Sequence, residues 1–397
     1  MIVEQYLKNM KNIQNNFLNF LDNEVNSEEN FQTLTNIFDE LKIYDDKHKL
    51  KSLMHLISQI SDYHCRFSNF FCKIEHVLQL FQTSIKKYFS NWEIFTTFRS
   101  NKRILLFLIE SKIMIMDKYI ILAITKKQEL ETYPHFFSPE IRPFMDEKWF
   151  PKYDLFGLYY NTRNEWVEEI KNKVLPDDFY EKRKEGENDL RICQLIREDL
   201  IKDFIVYINL NNVPVDSTIK QSIYETNSLL LHKSKVTLIE YAAFFGSLQI
   251  FKYLINEGAK LAQSIWIFAI HGNNAEMIHF LEENKIDPPL DENVGKESKN
   301  SFLVLLKESI KNHNNESATY FLNYFCQNDD DSLHDVVIHS LKHYNFAFIQ
   351  SKHIDKSSFL GLCKYDYYTL VDVLLKDMSF DLNEIILWII ISFYLIL

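Results

Sequence analysis

Only 7 of the 397 residues are glycine, and no two of them lie closer than twelve positions. Tight β-hairpins, phosphate-cradling loops and dinucleotide fingerprints all draw on glycine, because it reaches left-handed backbone without a Cβ clash. With glycine so scarce and 8 prolines in all, the chain is expected to fold from helices joined by short connections. Hydrophobic residues make up 46% and charged ones 25%, which supplies ample core and argues against disorder. The length favours two or three domains or an elongated repeat array.

From the N-terminus, apolar positions recur at intervals of three and four. Ile2, Val3, Tyr6, Leu7, Met10, Ile13, Phe17, Leu18 and Leu21 make the first stripe, Phe31 to Leu41 the second and Leu50 to Ile60 the third. Phe67 to Phe81 and then Ile85 to Phe95 continue the rhythm. Such spacing gathers apolar side chains on one helix face, so successive helices must stack to bury them. RILLFLIESKIMIMDKYIILAI, Arg103 to Ile124, is interrupted by Glu110, Lys112, Asp117 and Lys118. A membrane span needs about 20 apolar residues, and a buried helix pair is expected instead. Trp92 to Lys112 also reads as helix, turn, helix.

Pro134, Pro139, Pro143 and Pro151 fall within eighteen residues. Proline removes a backbone donor and biases the preceding residue away from helix. Regular helix should stop there, and the charged run from Pro176 to Asp189 reads as a second connection. These signals divide the chain into a helical region at 1–130, a connecting region at 131–189, a helical array at 190–384 and an apolar tail at 385–397.

Within the array, TLIEYAAFFGSLQIFKYLINEGAKL, Thr237 to Leu261, places Gly246 and Gly258 where two short helices should end. Ala242 and Ala243 let a neighbouring helix approach, and Leu248, Phe251, Leu254 and Ile255 stripe the second helix. This unit resembles an ankyrin repeat. Thr237 matches the family's opening Thr, Ala242 and Ala243 its paired alanines, Gly246 its inter-helix glycine, Leu254 and Ile255 its paired aliphatics, and Gly258 and Ala259 its closing Gly-Ala. Glu240 replaces the usual His and should loosen the turn network that His makes; Leu238 replaces the usual Pro.

Ser264 to Asn284 repeats the pattern, with Gly272 falling 26 residues after Gly246. Ser309 to Phe325, Ser340 to Ile349 and Leu362 to Glu384 carry weaker copies, the second of these the shortest. In layout the chain is similar to divergent ankyrin-repeat proteins of parasitic protists. The resemblance implies an all-α protein with an N-terminal helical region followed by a degenerate ankyrin-like α-solenoid. A non-catalytic protein-protein interaction scaffold is the function it implies, with an unidentified protein partner. Spacing near 26 is shorter than the family's ~33, so contact is expected from the first helices' exposed face rather than from hairpin tips. Phe244, Phe245, Trp266 and His271 are the candidate partner-binding residues; the competing reading is that they fill gaps between repeats.

Signals for chemistry are absent from the sequence pattern. No P-loop, dinucleotide fingerprint or nucleophile elbow occurs, and no catalytic or cofactor-binding residue is nominated. Cys65, Cys72 and His76 share a helix face beside His64, but close CxxC pairs are missing. His334, His339 and His343 include the segment HSLKH, which lacks the Glu of HExxH. The first group should be packed or partly buried and the second should form an exposed helix face, so no metal is expected. Adjacent carboxylates such as Glu168-Glu169 diverge by about 100° on a helix and share no focus.

The net charge of -11 disfavours nucleic acid and anionic lipid for the molecule as a whole. Lys86-Lys87, Lys126-Lys127 and Lys182-Arg183-Lys184 are short runs that should be solvated. Five scattered cysteines suit a reducing compartment, cytoplasmic or nuclear. Two alternatives to the scaffold remain: an enzyme with a site in the N-terminal half, or an adaptor tethered to membrane by the tail IILWIIISFYLIL, Ile385 to Leu397.

Overall fold

A computed structural model describes residues 2–66, 69–126, 132–147, 170–172, 174–233, 235–289, 301–325, 330–354 and 356–377. The architecture is all-α. Its one sheet among the described residues is the two-residue pairing of β1 (Thr218–Ile219) with antiparallel β2 (Val236–Thr237). The expected tail at 385–397 and Pro151 lie outside the described residues.

Helices follow the apolar stripes closely. They begin with α1 (Ile2–Asp22), α2 (Ser27–Glu40), α3 (Lys47–Tyr63) and α4 (Phe70–Leu80). The stripe from Ile85 to Phe95 breaks into α5 (Gln82–Tyr88) and α6 (Asn91–Phe98). The break is local chemistry: Ser90 Oγ accepts from Glu93 N–H while Glu93 Oε2 accepts from Ser90 N–H, a capping box that starts a new helix. Then come α7 (Lys102–Glu110) and α8 (Lys118–Lys126), the expected pair, and the short α9 (Tyr133–Phe136) and α10 (Ser138–Ile141) among the prolines.

Residues group into two contact units that do not follow chain order. Met1–Ile60, His64–Ile74 and Pro288–Leu397 form the first, and Ser61–Tyr63 with Glu75–Asp287 the second. In the second unit, α11 (Phe179–Glu185) precedes three helix pairs. These are α12 (Arg191–Arg197) with α13 (Ile201–Leu210), α15 (Leu238–Phe244) with α16 (Leu248–Asn256), and α17 (Ile265–His271) with α18 (Ala275–Glu283); the short α14 (Ser228–His232) lies between the first two pairs. First helices pack on first helices, α12 on α15 and α15 on α17, while α13 packs on α16.

The first unit repeats the theme with α19 (Ser301–Lys311) and α20 (Asn315–Phe325), α21 (Asp330–Lys342), and α22 (Lys356–Lys364) with α23 (Tyr368–Asp377). Here α19 packs on α21 and α21 on α22. Helix α1 joins this group: it packs on α23, and its fully buried Gln14 donates to Asn345 Oδ1 at 2.8 Å and accepts from Phe346 N–H at 2.6 Å.

Six inter-helix turns share one geometry. Asp199, Gly246, Asn273, His313, Tyr344 and Asp366 all have φ between 47° and 65°. In five of them the left-handed residue donates its N–H three residues back and the next residue donates five back, as Gly246 does to Ala243 O and Ser247 to Ala242 O. This double bond satisfies carbonyls that the helix end leaves without partners. Only one of the six positions is glycine. In the stretch Ser264 to Asn284 the turn centres on Asn273, not on Gly272, whose φ is −68°. Gly272 is instead needed for close approach, since a Cβ there would lie 2.4 Å from Ala243 O.

Gly272→Ala should therefore cost about 1–3 kcal/mol of stability through backbone displacement. Gly361→Ala, where the new Cβ would meet only Ile338 Cδ1 at 3.4 Å and Leu341 Cδ1 at 3.7 Å, should gain about 1 kcal/mol of helix propensity. Urea denaturation of the two full-length variants checks both signs.

Candidate functional site

The turns are joined to one another by the side chain that follows the left-handed residue. Ser247 Oγ donates to Ile196 O at 2.5 Å, Asn345 Nδ2 to Ile310 O at 2.9 Å and Tyr367 OH to Leu341 O at 3.0 Å. Each of these carbonyls stands three residues before the left-handed residue of the preceding turn and already accepts its N–H. A carbonyl has two lone pairs, and the following helical segment of the same unit uses the second. Asn274 Nδ2 reaches the left-handed residue's own carbonyl instead, Gly246 O at 3.4 Å. Asp199 adds a sideways tie by accepting from Gln249 and Ile250 N–H at 3.1 and 3.0 Å, which caps α16 of the next pair.

Glu240 strengthens the turn network rather than loosening it. It completes a capping box with Thr237, and its Oε1 accepts from Lys233 Nζ at 2.5 Å and from Ser264 Oγ at 2.6 Å. Lys233 Nζ also lies 4.8 Å from the Phe268 ring centroid. Burial alone would raise the Glu240 pKa, but the hydrogen bonds from Lys233, Ser264 and the Thr237 backbone outweigh it and hold the carboxyl below its ordinary range. A carboxylate thus bridges two helix pairs where the resemblance implied an imidazole.

The four aromatic candidates do not share one surface. Phe244, Trp266 and His271 are buried. Phe244 stacks on His271 at 5.7 Å between centroids and meets Phe268 edge-on at 6.5 Å, while Trp266 Nε1 donates to Ile286 O at 2.9 Å. The one-residue shift of the second turn explains His271: it corresponds to Phe244, which faces inward, and not to Phe245. Phe245 remains half-exposed against Tyr241 and Phe244. Phe244 and His271 thus meet between two helix pairs, and Trp266 is buried against the end of its own pair.

Two polar clusters lie in the interior, the first with no sequence signal and the second containing His64, His339 and His343. In the second unit, Lys102 is fully buried at 0% exposure; its Nζ donates to Thr132 Oγ1 at 2.9 Å and Ile223 O at 2.5 Å and lies 5.1 Å from the Phe136 ring centroid. Burial pushes its pKa down to about 7, with the Glu225 carboxylate opposing. An amine at that pKa could act as a base or nucleophile, yet its hydrogen bonds and packing enclose it. A cavity of about 20 Å³ borders Glu225 and Tyr241, and another of about 60 Å³ borders Ser138, Arg142 and Tyr224. Such volumes hold a water or two, whereas small-molecule sites run to roughly 300–1,000 Å³.

In the first unit, His55 and His64 from α3 and its C-terminal cap, His313 from a turn, and His339 and His343 from α21 come together. The expected exposed face at His339 and His343 is packed inward instead, because the α21 stripe turns that side toward α19 and α3. His343 Nδ1 meets Gln59 Oε1 at 2.8 Å, His339 Nε2 meets Lys307 O at 2.8 Å, and the two rings lie 4.6 Å apart. His55 stacks on Tyr344 at 4.8 Å beside the Lys51–Asp366 ion pair. Burial pushes His55 and His339 down to about 4, His313 to about 3 and His343 to about 2. His64 behaves oppositely: burial disfavours its charge, but Asp22 Oδ1 at 2.8 Å from Nε2 outweighs that and raises the pKa. Among the described residues, no group of three or more His, Cys, Asp or Glu could hold a metal ion. Cys65 is half-buried and Cys72 exposed.

No family model, no curated protein and no solved structure matches the chain.

Two measurements test the clusters. Asn345→Ala, which strands the Ile310 carbonyl bond and the Gln14 contact, should cost about 1–3 kcal/mol in urea denaturation. The four histidines held neutral are protonated only on unfolding, so their stabilisation is complete above the unfolded pKa of about 6.5 and declines as pH falls toward 4. His64 contributes in the opposite sense, at acid pH. Stability of the full chain should therefore fall between pH 7 and pH 5, and His343→Gln should flatten that slope.

Proposed function

We propose that this chain is a non-catalytic protein-interaction scaffold built on ankyrin-like stacked helix pairs. The observation that supports this reading is the turn-to-turn bonding through Ser247, Asn345 and Tyr367, which fixes one helical segment against the one before it at three places. Repeat stacking of that kind produces an extended rigid face, and a rigid face loses little conformational freedom on meeting a partner. The Lys102 amine, enclosed by Thr132, Ile223 and the Phe136 ring, favours a packing role over chemistry at that residue. The partner is an unidentified protein inside the cell, in the cytoplasm or nucleus; the net charge of -11 speaks against nucleic acid. The scattered cysteines, five in number, fit a reducing compartment.

Phe245 is the candidate that retains surface, and it separates binding from folding. Proximity labelling in cells expressing full-length chain should show Phe245→Asp losing partners that wild type labels, with helicity by circular dichroism unchanged. Phe244→Ala and Trp266→Ala should instead lose about 3–5 kcal/mol of stability. An unchanged labelling pattern for Phe245→Asp, together with a small molecule retained in native mass spectrometry, would move the reading to an enzyme.

A further inference from the structure

In the second unit, three large apolar side chains stand out from one hydrogen-bonded node. Asn91 opens α6; its Oδ1 accepts from Ile115 N–H at 3.1 Å and its Nδ2 donates to Asp117 Oδ2 at 3.5 Å. Asp117 Oδ1 accepts from Tyr119 and Ile120 N–H at 2.9 and 3.0 Å, which starts α8. The node thereby gathers Trp92, Ile115 and Tyr119, exposed by 48%, 65% and 70%. Single exposed apolar residues are ordinary, but a fixed cluster of three marks a surface that meets something.

Lysines border this cluster. Gln82 Nε2 donates to Ser111 O at 3.1 Å and so ties α5 to the loop that carries Ile115. Lys86 and Lys87 on α5, Lys112 in the loop and Lys118 on α8 are all exposed. The neighbouring carboxylates Glu93 and Asp117, which cap α6 and α8, and Glu110 on the exposed surface keep their negative charge, so the lysines outnumber them by one. On a chain of net charge -11, the sign is locally reversed.

We propose that the Trp92–Ile115–Tyr119 node is a peripheral docking surface for an anionic lipid bilayer. Trp and Tyr favour the headgroup boundary, where an apolar ring and a polar tip are both satisfied, and Ile115 reaches the acyl edge. The lysines face anionic headgroups. Side chains that project this far suit a fluid surface that yields to them, whereas a protein partner must offer a matching pocket for each. Contact is one-sided, since no helix among the described residues is long and apolar enough to cross a membrane. This inference stands independently of the scaffold reading.

Flotation of full-length chain with phosphatidylcholine vesicles, with and without phosphatidylserine, tests it. Wild type should float with the anionic vesicles only and be released at 1 M salt, where the screening length falls from about 10 Å to about 3 Å. Ile115→Asp combined with Tyr119→Ser should lower the bound fraction about tenfold through lost apolar burial, and Lys86→Glu combined with Lys87→Glu should lower it as well. Circular dichroism verifies that the variants stay folded. Equal flotation with neutral vesicles, no flotation, or flotation unchanged in the Ile115/Tyr119 variant overturns the proposal and, for the last, assigns the binding to another part of the chain. Capture on polyglutamate without flotation also overturns it, in favour of an acidic protein partner.

Discussion

One carbonyl oxygen accepting two hydrogen bonds underlies the order of both units. At Ile196, Ile310 and Leu341 the oxygen takes the N–H that closes its own turn and a side-chain donor from the following pair. Helix-to-helix packing by apolar stripes is non-directional and tolerates sliding. A buried, geometrically demanding bond at three of the turns removes that freedom there, because a slipped helix would leave a buried donor and an acceptor without their partners. Gly272 serves the same end by letting its turn sit directly on the Ala243 carbonyl.

The helices themselves were legible because their apolar spacing is regular and few glycines or prolines interrupt them. The break at Ser90 was signalled by Ser90 and Glu93 three residues apart, a capping pair hidden within a continuous apolar stripe. Turn positions were less legible. Five of the six left-handed turn residues carry a side chain, so glycine marks only the turn at Gly246; Gly272 stands one residue before its turn, and the turns at His313, Tyr344 and Asp366 have no glycine signal. That single shift put His271 on the wrong face. The donors Ser247, Asn345 and Tyr367 share a position but not a chemistry, which leaves no residue pattern for a sequence reading to find.

Buried charge was the least visible property. Nothing in the local sequence of Lys102 distinguishes it from a solvated lysine at a helix start; only Thr132, Ile223 and Glu225, brought from thirty to more than a hundred residues away, define its surroundings. The same holds for the histidines, whose neighbours come from both ends of the chain. Their spacing at 339 and 343 is equally compatible with an exposed face and a buried one, and the packing of α21 decides between them.

Gln14 and Asn345 are 331 residues apart, yet each completes the other's hydrogen bonding inside the first unit. During synthesis, α1 emerges long before the turn it must grip. At about 5–20 residues per second, roughly 20–70 s pass before Asn345 is made. Throughout that interval the apolar stripe from Tyr6 to Leu21 has α2 to cover it but neither α23 nor the Asn345 turn. The second unit's residues, Glu75 to Asp287, are all translated within the gap. The contacts of α1 with α2, α3 and α4 can form as soon as those helices emerge, whereas its contacts with α23 and the Asn345 turn must wait until those residues are made.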